Sequence, residues 1–391
     1  MIQPAPRLRH IEEYYFSTKL REIDQMNAEG KDVINLGIGS PDMAPHPDVI
    51  RQLSATAALP SSHGYQGYKG IAALRKAFSE FYARWYRVSL DPETEILPLL
   101  GSKEGIMHVS MAFLGAGDQV LVPNPGYPTY RAAALLCGAD CREYPLGEAG
   151  HWFPDLEELS RQGLEKVKLM WVNYPNMPAG ARASYGDFER LVAFGKAHRI
   201  LICHDNPYSF ILNDKPASLL EVPGALDHAL ELNSLSKSHN MAGWRVGMLA
   251  AKKEIITEVL RFKSNMDSGM FLPVQQAAVT ALGLEKEWFN SLQEAYRERR
   301  EQVFRLLDIA GCTYDPDQSG LFVWAKIPIL YADGYALSDA LLNGAGVFVT
   351  PGGIFGSKGS GYVRVSLCRG LPQLEKAMKR VEALNLKQPV G

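Results

Sequence analysis

The sequence predicts an α/β protein: a mainly parallel central sheet covered by helices on both faces, with a smaller α+β portion attached. Three observations carry this prediction. Four short apolar runs, QVLVPN (119–124), KLMWVNYP (168–175), ILICHDNP (200–207) and WRVGMLAA (244–251), each read as a buried strand running into a loop. Continuous rather than alternating apolar strands belong to a sheet covered on both sides. Helix-like stretches lie between them, KEGIMHVSMAFLGAG (103–117), YGDFERLVAFGKAH (185–198) and KEIITEVLRFKSNM (253–266), and such alternation favours parallel strands joined by helices. After about residue 285 the pattern changes.

In that last third, a long charged helix, EWFNSLQEAYRERREQVFRLLDIAG, leads into two strand-like runs, LFVWAKI and GYVRVSLC, and a final amphipathic stretch, LPQLEKAMKRVEALNL. The expected division is a large domain over 45–285 and a small domain built from 1–44 and 286–391. In an open α/β sheet, ligands bind in loops at the carboxyl ends of the strands, so the informative residues are expected there.

The composition narrows the function. With 391 residues, 46% hydrophobic and 21% charged, the chain is an ordinary globular one that can bury a large core. Its 41 basic and 43 acidic residues are interspersed and sum to −2, with no basic tail or acidic block to engage nucleic acid or a membrane surface. The five cysteines are scattered, and Cys137 and Cys141 have no histidine cluster beside them, so no metal site is expected and the thiols are read as reduced. The start, MIQPAPRLRHIEEYYF, lacks the apolar core of a signal peptide, and a cytoplasmic protein is expected.

Four loops carry the chemistry. LLGSKEGIM (99–107) sets Gly101, Ser102 and Lys103 directly before a helical pattern. Free amides at a helix start plus a hydroxyl suit a phosphate, although an ordinary N-cap by Ser102 would explain the same residues. NPGYPTY (124–130) puts Tyr127 in a turn after a strand, where an aromatic can stack on a flat ring or on its own loop. In ILICHDNPYSF (200–210), Asp205 ends an apolar run and Tyr208 follows three residues later. An unpaired carboxylate at a buried strand end is costly, and a protonated heterocyclic nitrogen would pair it. His204 points to the opposite face of that strand and is read as structural.

The fourth loop, NSLSKSHNMAGWRVG (233–247), holds Lys237 among small polar residues. Ser234, Ser236 and Arg245 supply phosphate donors, and a lysine shielded by apolar neighbours and a nearby cation has a lowered pKa and a nucleophilic amine. Alone, SLSK would fit a solvated surface lysine. Together the loops specify a ligand with a phosphate, an aromatic ring, a pyridinium nitrogen, a phenolic oxygen and an aldehyde. That ligand is pyridoxal 5′-phosphate (PLP).

The same segments resemble the fold-type I PLP enzymes, and among them the class I/II aminotransferases. The resemblance runs through VINLGIGSPD, YQGYKGIAALR, GSKEG, NPGYPTY, NYPNMPAG, HDNPY, SLSKSHNMAGWRVG, PGGIFG and YVRVS, nearly the whole chain. It implies Lys237 as Schiff-base lysine and proton shuttle, Asp205 on the pyridine nitrogen, Tyr208 on the ring hydroxyl and Tyr127 stacked on the ring. It also implies that Arg364 grips the substrate carboxylate, that the backbone of Gly39 lies against the substrate, and that Tyr65 reaches the phosphate of a neighbouring subunit, hence a homodimer with shared sites. One position departs from the family. Where members usually carry Asn before Pro in an N-P-T-G turn, NYPNMPAG has Met177, with Asn176 one residue earlier. Asn176 is expected to turn inward and donate to the ring oxygen. Without that donor, Tyr208 acts alone and the pKa of the Schiff base is expected to be higher.

The implied activity is transfer of an amino group from an L-amino acid to a 2-oxo acid such as 2-oxoglutarate. No second arginine for a distal carboxylate is evident, which favours a neutral or aromatic donor. A PLP-dependent C–S (β-eliminating) lyase of the same fold is the alternative, because the chemistry diverges only after proton removal. A transcription regulator fits poorly, since the family pattern starts near residue 30. A nicotinamide dehydrogenase also fits poorly, as no GxGxxG follows an early strand.

Overall fold

The computed structural model describes residues 2–384 apart from positions 10, 12 and 14. Its centre is a seven-stranded sheet in the order Ile96–Leu99, Gly247–Ala250, Ala229–Ser234, Leu201–Asp205, Val167–Val172, Gln119–Asn124 and Asp140–Pro145. The last five are mutually parallel. Gly247–Ala250 is antiparallel to both of its neighbours. Side chains alternate between two apolar layers. Leu169 and Trp171 pack with Val120, Val122 and Cys203, whereas Met170 and Val172 pack with Leu121 and Ile202 on the other face. Each large apolar side chain buried in this way contributes roughly 1.5–3 kcal/mol.

The helices form where local chemistry starts and stops them. Tyr185–His198 opens with a capping box, in which Ser184 Oγ accepts from Asp187 N at 3.1 Å while Asp187 accepts from Ser184 N at 3.0 Å. It stops at Arg199, in the left-handed region at φ 55°. Other segments end sooner than the apolar pattern predicts. The run 168–175 leaves the sheet after Val172, and the helix expected over 103–117 spans Ser102–Phe113. The apolar pattern does not single out the strand Ala229–Ser234, because the buried polar residues Glu231 and Asn233 interrupt it.

The last third forms a four-stranded antiparallel sheet, ordered Thr350–Pro351, Tyr362–Ser366, Phe322–Lys326 and Thr313–Tyr314. The helices Lys286–Ile309 and Leu371–Ala383 pack against each other beside it. The N-terminal chain joins this layer through Ile34–Asn35, which pairs in parallel with Val347–Phe348. Gly37, Ile38 and Gly39 are thereby carried to the carboxyl ends of the central strands. Among the described residues no helix is long and apolar enough to cross a membrane.

Candidate active site

A cavity of about 600 Å³ opens where the central parallel strands end and the smaller sheet leans over them. Asp205, the last residue of Leu201–Asp205, is buried in its wall. Tyr130 Oη donates to its Oδ2 at 2.9 Å, and the Ser102 hydroxyl also reaches the carboxylate. Oδ1 has no hydrogen-bond partner among the described residues. Burial pushes this carboxyl up to about 6, against the bond from Tyr130. A buried acceptor with one unsatisfied oxygen is suited to a cationic N–H. His204 does face away, with Nδ1 2.8 Å from Glu231 Oε2 on the far side of the sheet.

The phosphate-like end is built from two strand ends. Gly101 caps Ser102–Phe113 at φ 89°, and a Cβ there would lie 2.3 Å from Arg245 Nη2. Ser234 ends its strand and accepts from Ser236 N at 3.2 Å while donating to Ser236 Oγ at 2.9 Å. Arg245, held at φ 58°, donates to Ala242 O at 2.9 Å and lies 3.5 Å from Ser236 Oγ. Lys103 stands near it, its pKa lowered first by burial and then by Arg245. Two cations, two hydroxyls and the amides of a helix start make an anion cradle, and a phosphate fits that donor set.

Lys237 sits between these ends, in the short helix Leu235–Ser238, and its Nζ donates to Gly39 O at 2.5 Å. Burial, with Arg364 and Arg245 near, lowers its pKa. A Cβ on Gly39 would meet the Phe322 ring at 2.2 Å, so the close approach of this backbone requires glycine. Tyr127 and Tyr208 both line the cavity, Tyr127 edge-on to Tyr130 and Tyr208 edge-on to Phe322. Arg364 enters from the strand Tyr362–Ser366. Its Nη2 donates to Gly37 O at 2.9 Å and Nη1 to Met177 Sδ at 3.2 Å, with the guanidinium 3.7 Å from the centre of the Phe322 ring.

Two expected residues are placed elsewhere. Asn176 does not line the cavity: its Nδ2 donates to Asn173 O at 3.3 Å and its Oδ1 accepts from Ala179 N at 3.1 Å, so the turn itself absorbs the amide. The inward donor expected there is absent, and Met177 faces the cavity instead. Tyr65 is 93% exposed and does not line the cavity of its own chain. The sequence reading missed Tyr130, Asn173 and Phe16. Tyr130 and Asn173 lie inside the motifs NPGYPTY and NYPNMPAG, but only the fold shows that Tyr130 bonds the Asp205 carboxylate and Asn173 Nδ2 bonds its main-chain oxygen at 2.6 Å.

A protein with a mainly parallel sheet, a buried lysine, a strand-end acid and an anion cradle is a PLP-binding enzyme of fold type I. The model of the family "Aminotransferase class I and II" matches residues 31–381, and the chain belongs to this family. It is 39% identical over 379 residues to an LL-diaminopimelate aminotransferase of Dehalococcoides mccartyi, covering 96% of this chain and 97% of that protein. A protein of the same name from Oleidesulfovibrio alaskensis is 40% identical, with 97% and 98% covered. Among solved structures, apo BacF from Bacillus subtilis superposes with a TM-score of 0.95 at 37% identity over the whole of both chains. A Thermus thermophilus aspartate aminotransferase mutant gives 0.91 at 25% identity, with 98% and 100% covered. The protein is a PLP-dependent aminotransferase.

Proposed function

We propose that this aminotransferase takes a neutral or aromatic L-amino acid as donor and a 2-oxo acid such as 2-oxoglutarate as acceptor. One observation carries the reading. Beyond Arg364 the cavity wall is mostly apolar, Phe16, Leu20, Ile38, Met177, Phe322 and Phe355 with the hydroxyl residue Ser17 among them, whereas the other charged lining groups among the described residues, Lys103, Asp205, Lys237 and Arg245, belong to the cofactor end. A donor with a distal ammonium would bring that charge against an apolar wall, at a desolvation cost that an apolar side chain avoids.

PLP, when bound, supplies a ring that accepts the electron pair released at the substrate Cα. On this reading, Asp205 keeps a proton on the ring nitrogen and Tyr208 donates to the ring oxygen. Arg364, fixed by Gly37 O, binds the donor carboxylate and orients Cα toward Lys237. Lys237, its pKa lowered by burial, is placed as the base that takes the Cα proton. The exposed Tyr65 serves the phosphate of a second copy, so the reading includes a homodimer.

A second donor, LL-diaminopimelate, is favoured by the names of the relatives at 39% and 40% identity. The experiment compares kcat/KM for phenylalanine, tyrosine, methionine and LL-diaminopimelate with 2-oxoglutarate, while assaying ammonia and pyruvate. Neutral and aromatic donors are expected to lead by about tenfold or more, the size of effect of one mismatched polar group in an apolar pocket. A lead for LL-diaminopimelate would replace the proposed donor. Ammonia release independent of oxo acid would reveal elimination.

A further inference from the structure

The first turns of Ser102–Phe113 carry ionisable groups that the chemistry above leaves unused. Glu104 and His108 lie one turn apart on one helix face. His108 is 1% exposed, and its Nε2 is 3.0 Å from Glu104 Oε1, yet neither atom has an aligned hydrogen bond among the described residues. Asp267 completes the group, with ligand atoms of all three within 4.8 Å. Lys263, itself buried, is ion-paired with Asp267. The Lys263 ammonium balances the charge of the Asp267 carboxylate.

This group is wired to two places. Glu104 Oε2 accepts from Leu100 N at 2.5 Å, reaching back across Gly101 to close the loop that presents Ser102 and Lys103. Asp267 Oδ1 accepts from Gly269 N at 3.0 Å. Gly269, at φ 86°, lies so close to the Tyr65–Gly70 segment that a Cβ on it would sit 2.5 Å from Gln66 O. We infer that Glu104 is a positioning residue for the cofactor phosphate: pinned by Asp267, Lys263 and His108, its carboxyl holds the Leu100–Lys103 loop in its anion-binding shape and couples that loop to the Tyr65 segment. The inference rests on the phosphate lying at Ser102 and Arg245.

The test compares PLP with pyridoxal, which lacks the phosphate, by titrating each into cofactor-free protein and following absorbance, alongside melting of the cofactor-free variants. Glu104→Ala removes the acceptor for Leu100 N. It is expected to weaken PLP about tenfold while pyridoxal changes less than about threefold, as expected when a buried donor loses its partner. Glu104→Gln keeps an acceptor oxygen and is expected to recover most of the loss. Asp267→Asn, the variant to use if Glu104→Ala fails to fold, is expected to weaken PLP selectively as well. Equal losses for PLP and pyridoxal would make the cluster merely structural and overturn the inference. Arg245→Ala is the control: if it narrows the preference for PLP and Glu104→Ala does not, the positioning role fails. If Arg245→Ala leaves that preference intact, the phosphate placement fails and the inference with it. About one equivalent of a transition metal in the purified holoenzyme would make the cluster a metal site and overturn the inference.

Discussion

At Asp205 the energetics of a single side chain can be followed through to a measurement. Its carboxyl titrates at about 6 in the folded, cofactor-free protein, above the unfolded value of about 4. The folded state therefore holds this proton more tightly. The associated stability is fully present below the unfolded pKa and is lost as pH rises through about 6, a cost on the order of 3 kcal/mol near neutrality. Asp205→Asn removes the titration, so cofactor-free Asp205→Asn is expected to melt above wild type at pH 7.5 and much nearer to it at pH 5. A gap that does not change with pH would assign the titration elsewhere. Met177 makes a second residue-scale prediction. With Asn176 spent on its own turn, Tyr208 is left as donor to the ring oxygen on the proposed placement. Met177→Asn should restore an amide there and lower the pH midpoint of the bound cofactor's visible band by about one unit. No shift would show that position 177 does not face the ring.

At the scale of elements, strand ends and helix starts made the site readable from the sequence. Asp205 was legible because it follows an apolar run at the point where a buried strand must stop, and Lys237 because it stands among small polar residues with Arg245 close behind; a charged residue at either place needs a reason. Tyr130 and Asn173 were not singled out, because their roles depend on which strands are neighbours, and local pattern does not encode that order. The strand Ala229–Ser234 was hidden for a related cause: Glu231 breaks its apolar run, yet it is fully buried because Tyr82, Ser218, His204 and the Leu219 amide satisfy its carboxylate. Asn176 was misassigned because an amide within a tight turn can bond the turn as readily as a ligand. The helix start is the element most sensitive to change. Gly101→Ala would set a Cβ against Arg245 at a positive φ, and both effects are unfavourable. The variant is expected to bind PLP at least about tenfold more weakly with its far-UV spectrum unchanged; wild-type affinity would mean that Arg245 moves aside without cost.

At the scale of the whole molecule, Tyr65 stands outside the lining of its own chain's cavity. It is 93% exposed, and Tyr68, Met266 and Phe271, exposed by 45%, 51% and 46%, lie close to it in sequence or across the Gly269 contact. Exposed apolar side chains on neighbouring segments favour burial by a partner, and on the proposed reading the partner is a second copy whose phosphate Tyr65 reaches. Mixed dimers separate this from a role within one subunit. One subunit is wild type and the other carries both Tyr65→Phe and Lys237→Ala, so the only working lysine belongs to the wild-type subunit. If Tyr65 serves the opposite site, that lysine's cofactor is held beside Phe at position 65 of the other subunit. The dimer should then bind PLP at its one competent site about as weakly as a Tyr65→Phe homodimer, with the loss expected near tenfold for a hydrogen bond to a charged group. If Tyr65 acts within its own chain, the same dimer should hold PLP with wild-type affinity. A species that sediments as a monomer at micromolar concentration while retaining full activity would remove the shared site altogether.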